Sequence, residues 1–272
     1  AVRKAGDKVC ILLLNTTASP GLLLNSGANL DASTCEVHVK STGNPAATFN
    51  AGTSFVTKKT CVAGSTVLDN GGSHASLTKS CTTVADPFAG TLTAPSTTCD
   101  TTKQNLNFNG GTVSLTPGVY CGWTNFNSSP TIKLADGIYV IKSGGWNVNG
   151  GSMTGANVTF YFADTSYIQF NGTVKLDLTA PNSGTNAGVL FHEAAGLSKS
   201  SFAINATNGA DLEGLIYLPT RQVTLNSGAS VFSNKLTMVL DTLIMNTVNW
   251  KISPGDKSIA STSGGGGIYL KR

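Results

Sequence analysis

Three histidines, six cysteines and fourteen acidic side chains are the groups in this 272-residue chain that suit acid–base, nucleophilic or metal chemistry. His192-Glu193 directly follows the apolar run Gly188–Phe191. The pair reads as a general base with its carboxylate, or as half of a zinc motif. The second histidine of a His-Glu-x-x-His motif is missing, because Leu197 and Ser198 follow Ala194-Ala195-Gly196. A loop histidine at the end of a strand fits better. The second half spreads its carboxylates over Asp136, Asp164, Asp177, Glu193, Asp211, Glu213, Asp241 and Asp256, with no Asp-Asp or Asp-x-Asp. Asp211 and Glu213, two apart, share one face of any strand and read as a solvated edge. Trp123, Trp146, Trp250 and Tyr167 suit sugar stacking, but aromatic core rows explain them more simply. No Gly-x-Ser-x-Gly elbow, P-loop or calcium loop is present, and Gly264–Gly267 reads as a linker. No catalytic residue, metal ligand or cofactor is assigned.

The cysteines carry a different chemistry. Cys10, Cys35, Cys61, Cys81, Cys99 and Cys121 all fall in the first 121 residues, without a Cys-x-x-Cys pair. An even number, evenly spaced, predicts three disulfides and an oxidising, extracytoplasmic compartment. Six cysteines allow 15 connectivities. The expected one is sequential: Cys10–Cys35, Cys61–Cys81 and Cys99–Cys121.

The elements that position these residues repeat. An apolar–Asn–small motif recurs around Asn25, Asn50, Asn109, Asn127, Asn149, Asn171, Asn205, Asn226 and Asn246. From Asn109 on, most steps cluster near 20 residues; the step from Asn171 to Asn205 is long and holds Pro181–Ser200. A second series of short β-branched or aromatic runs accompanies it: Val119-Tyr120, Ile138-Tyr139-Val140, Val158–Phe162, Val189-Leu190-Phe191, Leu215-Ile216-Tyr217 and Met238-Val239-Leu240. Short strands at a period near 20 predict an all-β chain folded as a parallel β-helix of about twelve coils. The asparagines are then corner residues that tolerate the left-handed region and stack their amides into a ladder. Residues 1–260 form one domain, with 1–121 its irregular, disulfide-bearing part. Between Asn50 and Asn109 we expect insertions pinned to the flank. Residues 261–272 are a Gly-rich tail whose Ile268-Tyr269-Leu270 is apolar enough to dock as a final strand.

Composition excludes several classes. Only 12% of residues are charged and the formal net charge is +4. Arginine occurs at Arg3, Arg221 and Arg272 alone, and the lysines are scattered, so no nucleic-acid footprint is present. No apolar run approaches the ~20 residues of a membrane span.

Several segments resemble the TadG-like proteins of the tight-adherence (Tad/Flp) pilus system. They are Cys10–Asn15, Leu22–Ala28 leading to Cys35, Val84–Gly90, Leu115–Gly122 and Leu134–Lys142. The resemblance extends from Cys10 to about Ile252. It implies a surface or envelope protein without catalytic residues, and a right-handed helix. Members of that family begin with a membrane anchor that has no counterpart here, so the chain reads as their extracytoplasmic solenoid. The expected function is structural: pilus assembly, surface adhesion or filament formation. Its partners would be pilus or cell-surface proteins, or further copies stacked end to end. An ice- or carbohydrate-surface-binding solenoid is the alternative, since Leu115–Tyr120 also resembles a segment of solenoid ice-binding proteins. A polysaccharide lyase or hydrolase comes third.

Overall fold

A computed structural model describes residues 7–205, 210–226 and 230–261. The chain is a parallel β-solenoid of about eleven turns, with no α-helix among the described residues. At ~4.8 Å per turn the rod is about 50 Å long. One coil shows how the sequence builds it. Strand Gly137–Gly155 bends through two corners and contributes to three walls. Residues 137–141 pair with 158–162, residues 145–149 with 167–171, and residues 151–155 with 174–178, all in parallel. Inward side chains of successive coils then stack, and Tyr120, Tyr139, Trp146, Phe160, Phe191 and Phe202 form a ladder of rings 5.1–6.1 Å apart.

Coil order in space differs from chain order. The first coil does not sit at one end of the rod. Ile11, Leu12 and Leu13 pair in parallel with Met238, Val239 and Leu240. Leu22–Leu24 pairs with residues 243–245, and residues 29–31 with 249–251. All three walls therefore continue from the coil ending at Ile252 into the coil beginning at Lys8. The rod consists of two runs, 105–252 followed by 8–79. Residues 80–104 return the chain from one end to the other.

That return segment lies along the first wall and explains its composition. Val119, Val140, Tyr161, His192, Tyr217, Val239, Leu12, His38 and Cys61 form one outward row across nine coils in register. Val84 packs into this row with Leu12, Leu215, Tyr217 and Val239, flanked by Phe88 and Leu92. Cys81 is bonded to Cys61, and Cys99 to Cys121, so both ends of the segment are fixed. Between them the Val84 amide donates to His38 Nδ1 at 3.1 Å, and the Tyr217 hydroxyl donates to Asp86 at 3.0 Å. Lys142 Nζ donates to the Thr97 carbonyl at 3.1 Å. Strands with core on one side and a covering segment on the other are buried on both faces. They lack the alternation of a one-sided wall, as in Val158–Phe162, which is buried throughout and whose Thr159 hydroxyl donates to the Val189 carbonyl at 2.7 Å.

The nine expected asparagines all join amide ladders. Asn50 Nδ2 donates to Asn25 Oδ1 at 2.8 Å, and Asn25 to Asn246 at 2.5 Å. Asn246 donates to Asn226 at 2.8 Å, and Asn226 to Asn205 at 2.6 Å. A second run links Asn171 to Asn149, Asn149 to Asn127, and Asn127 to Asn109. The Asn25–Asn246 bond joins residues 221 apart in sequence and carries the ladder across the junction.

Two expectations need correction. None of the nine asparagines has a positive φ; the left-handed corner falls on the residues after them, such as Gly27, Ser128, Ser129, Gly150 and Thr247. The asparagines themselves keep negative φ, and their amides run along the rod. The interval between Asn50 and Asn109 is also not all insertion. Strands Ser54–Val62, Val67–Asn70 and Leu77–Lys79 continue the coils, and Asn70 adds a rung by donating to Asn50 at 2.7 Å. The tail strand expected at Ile268-Tyr269-Leu270 lies outside the described residues.

Replacing Asn25 with alanine leaves Asn246 Oδ1 and Asn50 Nδ2 without partners. The expected loss is about 1–3 kcal/mol in urea unfolding, against about 1 kcal/mol or less for Asn70→Ala at the ladder's end. Equal effects at the two positions would show that the ladder does not secure the junction.

Candidate functional site

The disulfides occupy every cysteine, in the sequential pairing, each with Cα atoms 5.8 Å apart. Cys10–Cys35 staples neighbouring coils from within the core. The other two hold the return segment. Disulfide-bonded thiols offer neither a nucleophile nor a metal ligand.

His192 and Glu193 do not form a pair. Strand alternation sends them to opposite sides of the first wall. His192 lies on the outer side between Tyr161 and Tyr217, with ring centroids 5.0 and 6.1 Å away. Burial among these rings pushes its pKa down to about 4. Glu193 turns inward to the corner and accepts from Arg221 Nε at 2.7 Å and from the Thr220 amide and hydroxyl at 2.6 and 2.8 Å. The Arg221 guanidinium also donates to the carbonyls of Asp164, Thr165 and Ser166 at 2.7–3.1 Å. Both partners are fully buried, and their hydrogen bonds tie three successive coils at one corner. A carboxylate engaged in this way fixes a corner of the rod.

Asp211 and Glu213 share a strand as expected, and Asp177 and Thr179 sit beside them in register on the adjoining coil. Burial, Glu213 and Asp177 together hold the Asp211 carboxyl above its usual range. No group of three or more His, Cys, Asp or Glu side chains converges on a metal-sized site among the described residues. Glu213 borders a groove of about 490 Å³ at the corner between the third and first walls, with Asn157, Lys235, Asp256 and Lys257.

The four sugar-stacking candidates separate cleanly. Trp146 and Trp250 are core residues, 0% and 1% exposed. Trp123 and Tyr167 are half-buried on the outside of the second wall, in edge-to-face contact with centroids 5.7 Å apart. Gly145 lies between them in register, and a Cβ there would fall 2.3 Å from the Tyr167 carbonyl oxygen. The third wall carries the hydroxyl row Thr112, Thr131, Ser152, which Lys175 interrupts on the next coil.

One polar cluster escaped the sequence reading. His38 Nδ1 accepts from the Val84 amide, so its proton sits on Nε2 and is donated to Glu36 Oε2 at 2.9 Å. Ser261 Oγ donates to the same oxygen at 2.7 Å. The serine thus faces the carboxylate and not the imidazole, which is not the order of a nucleophilic triad. Glu36 and His38 stand two apart on one strand, so their shared face was legible. What was not legible is the chain that roofs them.

The two ends of the rod differ in chemistry. At one end, strands Asn107–Asn109 and Thr112–Leu115 pair with the coil above them. At the other, Val67–Asn70 and Leu77–Lys79 pair with the coil below. Each leaves one parallel edge without a strand among the described residues. The amide ladder has a direction, because every link runs from the nitrogen on the Asn70 side to the oxygen on the Asn109 side. Among the described residues, Asn70 Oδ1 is thus left as an acceptor at one end, and Asn107 and Asn109 Nδ2 as donors at the other. Leu68 is 45% exposed at the acceptor end, and Leu106 and Phe108 are half-buried at the donor end. No family model, curated protein or solved structure matches the chain.

The buried His192 makes a pH prediction. Its folded pKa lies below the unfolded value of about 6.5, so the unfolded chain binds more protons between the two. Stability is complete above pH ~6.5 and falls as pH drops toward 4, by roughly 1–3 kcal/mol from this residue. His192→Phe should flatten that part of a urea-midpoint profile. An unchanged slope in the variant would refute the assignment.

Proposed function

We propose that this chain is a non-enzymatic extracytoplasmic structural module that supports pilus assembly, adhesion or filament formation at a cell surface. The complementary ends of the rod carry this reading. Among the described residues, one end offers amide donors and an open parallel edge, and the other offers an amide acceptor and an open parallel edge. A head-to-tail contact of this kind is heterologous and does not close, so it propagates into a filament. Three disulfides suit an oxidising compartment, and no helix among the described residues is long and apolar enough to cross a membrane. The dispersed carboxylates and the inert buried ion pair fit a rod better than an enzyme. The TadG-like segments agree with a place in the pilus machinery, with surface proteins or further copies as partners.

Negative-stain electron microscopy and sedimentation velocity over a concentration series test this. The expected result is end-to-end stacking into thin filaments of constant width, abolished by Leu68→Lys with Phe108→Lys. A monomer at every concentration, with no filament under the microscope, would rule out self-assembly.

A further inference from the structure

The second wall has one breach. Residues 145–149 pair with 167–171 at five positions, and residues 200–204 pair with 221–225 at five. Between these steps, residues 167–171 and Ser200–Ile204 share a single registered pair, Phe170 with Ile204. The amide ladder lapses at the same step. Asn171 donates to Asn149 and Asn226 donates to Asn205, yet no amide bond joins Asn171 to Asn205 among the described residues. The coil that spans this step is the long one. Its extra residues lie in 180–188 and 194–199, and they let strand Ser200–Ile204 splay from its neighbour.

The breach opens a cavity of about 440 Å³ lined by Thr165, Tyr167, Gln169, Ser200, Ser201 and Asn205, with Ala203 at its side. No acid or base faces it. Ser200 Oγ is buried there without a partner. A second cavity of about 390 Å³ shares Ser200 and Ser201 and extends past Gln222 and Thr242. Its two charges, Lys199 and Asp241, neutralise each other at 3.0 Å. The two cavities make one trough across several coils, with the Tyr167 ring braced by Trp123 at its far end.

We infer that this trough binds an uncharged oligosaccharide. Amides, hydroxyls and unpaired strand backbone offer alternating donors and acceptors, which match the hydroxyl groups of a sugar chain. Tyr167 supplies the apolar ring for stacking. The buried Ser200 hydroxyl, without a protein partner, is the kind of group a ligand hydroxyl satisfies. The absence of net charge in the lining disfavours phosphate and uronate ligands. The trough lies away from both rod ends, so the inference stands apart from the proposed assembly.

Isothermal titration of the full chain with maltotetraose, cellotetraose, triacetylchitotriose and, as the charged probe, trigalacturonate tests it. Saturable binding of at least one neutral probe, with trigalacturonate at least about tenfold weaker, is expected. Tyr167→Ala and Gln169→Ala should each weaken that binding by about tenfold or more, while each variant keeps the β-sheet circular-dichroism spectrum of the parent. Ser201→Phe, which fills the trough, should abolish it. If Tyr167→Ala fails to fold, the other two variants decide. No heat with any neutral probe would overturn the inference. So would equal affinity for trigalacturonate, or unaltered binding in folded variants.

Discussion

Coil-to-coil register is the constraint on which the rest of this structure depends. Each coil buries its apolar face only when the next coil presents the same face one strand spacing away. Asparagine amides enforce that register because each interior rung of the two ladder runs both donates and accepts along the rod. A slip of one residue would turn every inward ring outward. The ladder therefore matters most where chain connectivity cannot help, at the junction between residues 22–31 and 243–251. There the two sides belong to opposite halves of the sequence, and the Asn25–Asn246 bond stands among the contacts that align them.

Placing residues 8–79 beyond residue 252 creates a need for a return path to residue 105, and the return path accounts for much else. It crosses the first wall, so that wall is apolar outside as well as inside. Two of the three disulfides sit at the ends of this segment, where few strand hydrogen bonds would hold it. His38 and Tyr217, polar residues on the covered row, donate to or accept from the segment above them. His192 on the same row is buried between the Tyr161 and Tyr217 rings, and that burial disfavours its protonation.

The solenoid was legible because its repeat writes the same chemistry at every corner. Asn127-Ser128-Ser129 and Asn149-Gly150-Gly151 announce a strand end followed by left-handed residues, whatever the rest of the coil contains. The sequential disulfides followed the simplest reading of six evenly spread cysteines, although only Cys10–Cys35 joins neighbouring coils and the other two tie down the return segment. Coil order was not legible. Nothing local to Leu12 or Met238 says that they are neighbours, because every coil presents a similar edge. The first wall did carry a sign that went unread. Val158–Phe162 carries large or β-branched side chains at every position, all of them buried, where a one-sided wall would alternate with exposed polar residues. The breach was half-visible as the long step from Asn171 to Asn205, but step length alone does not say which wall opens. Trp146 and Trp123 are alike in sequence, and only their register separates a core ring from a surface one.

The most direct measurement of the central claim is a cross-link at the junction. Leu23 and Ile244 are register partners on the outer side of the second wall. Parallel partners lie ~4.8 Å apart, within the range a disulfide spans. The double variant Leu23→Cys with Ile244→Cys, oxidised mildly and mapped by non-reducing peptide analysis, should form that bond in high yield beside the three native disulfides. Leu23→Cys with Leu68→Cys, two coils apart, should not. Efficient bridging in the second pair and none in the first would contradict a rod that begins in its own middle.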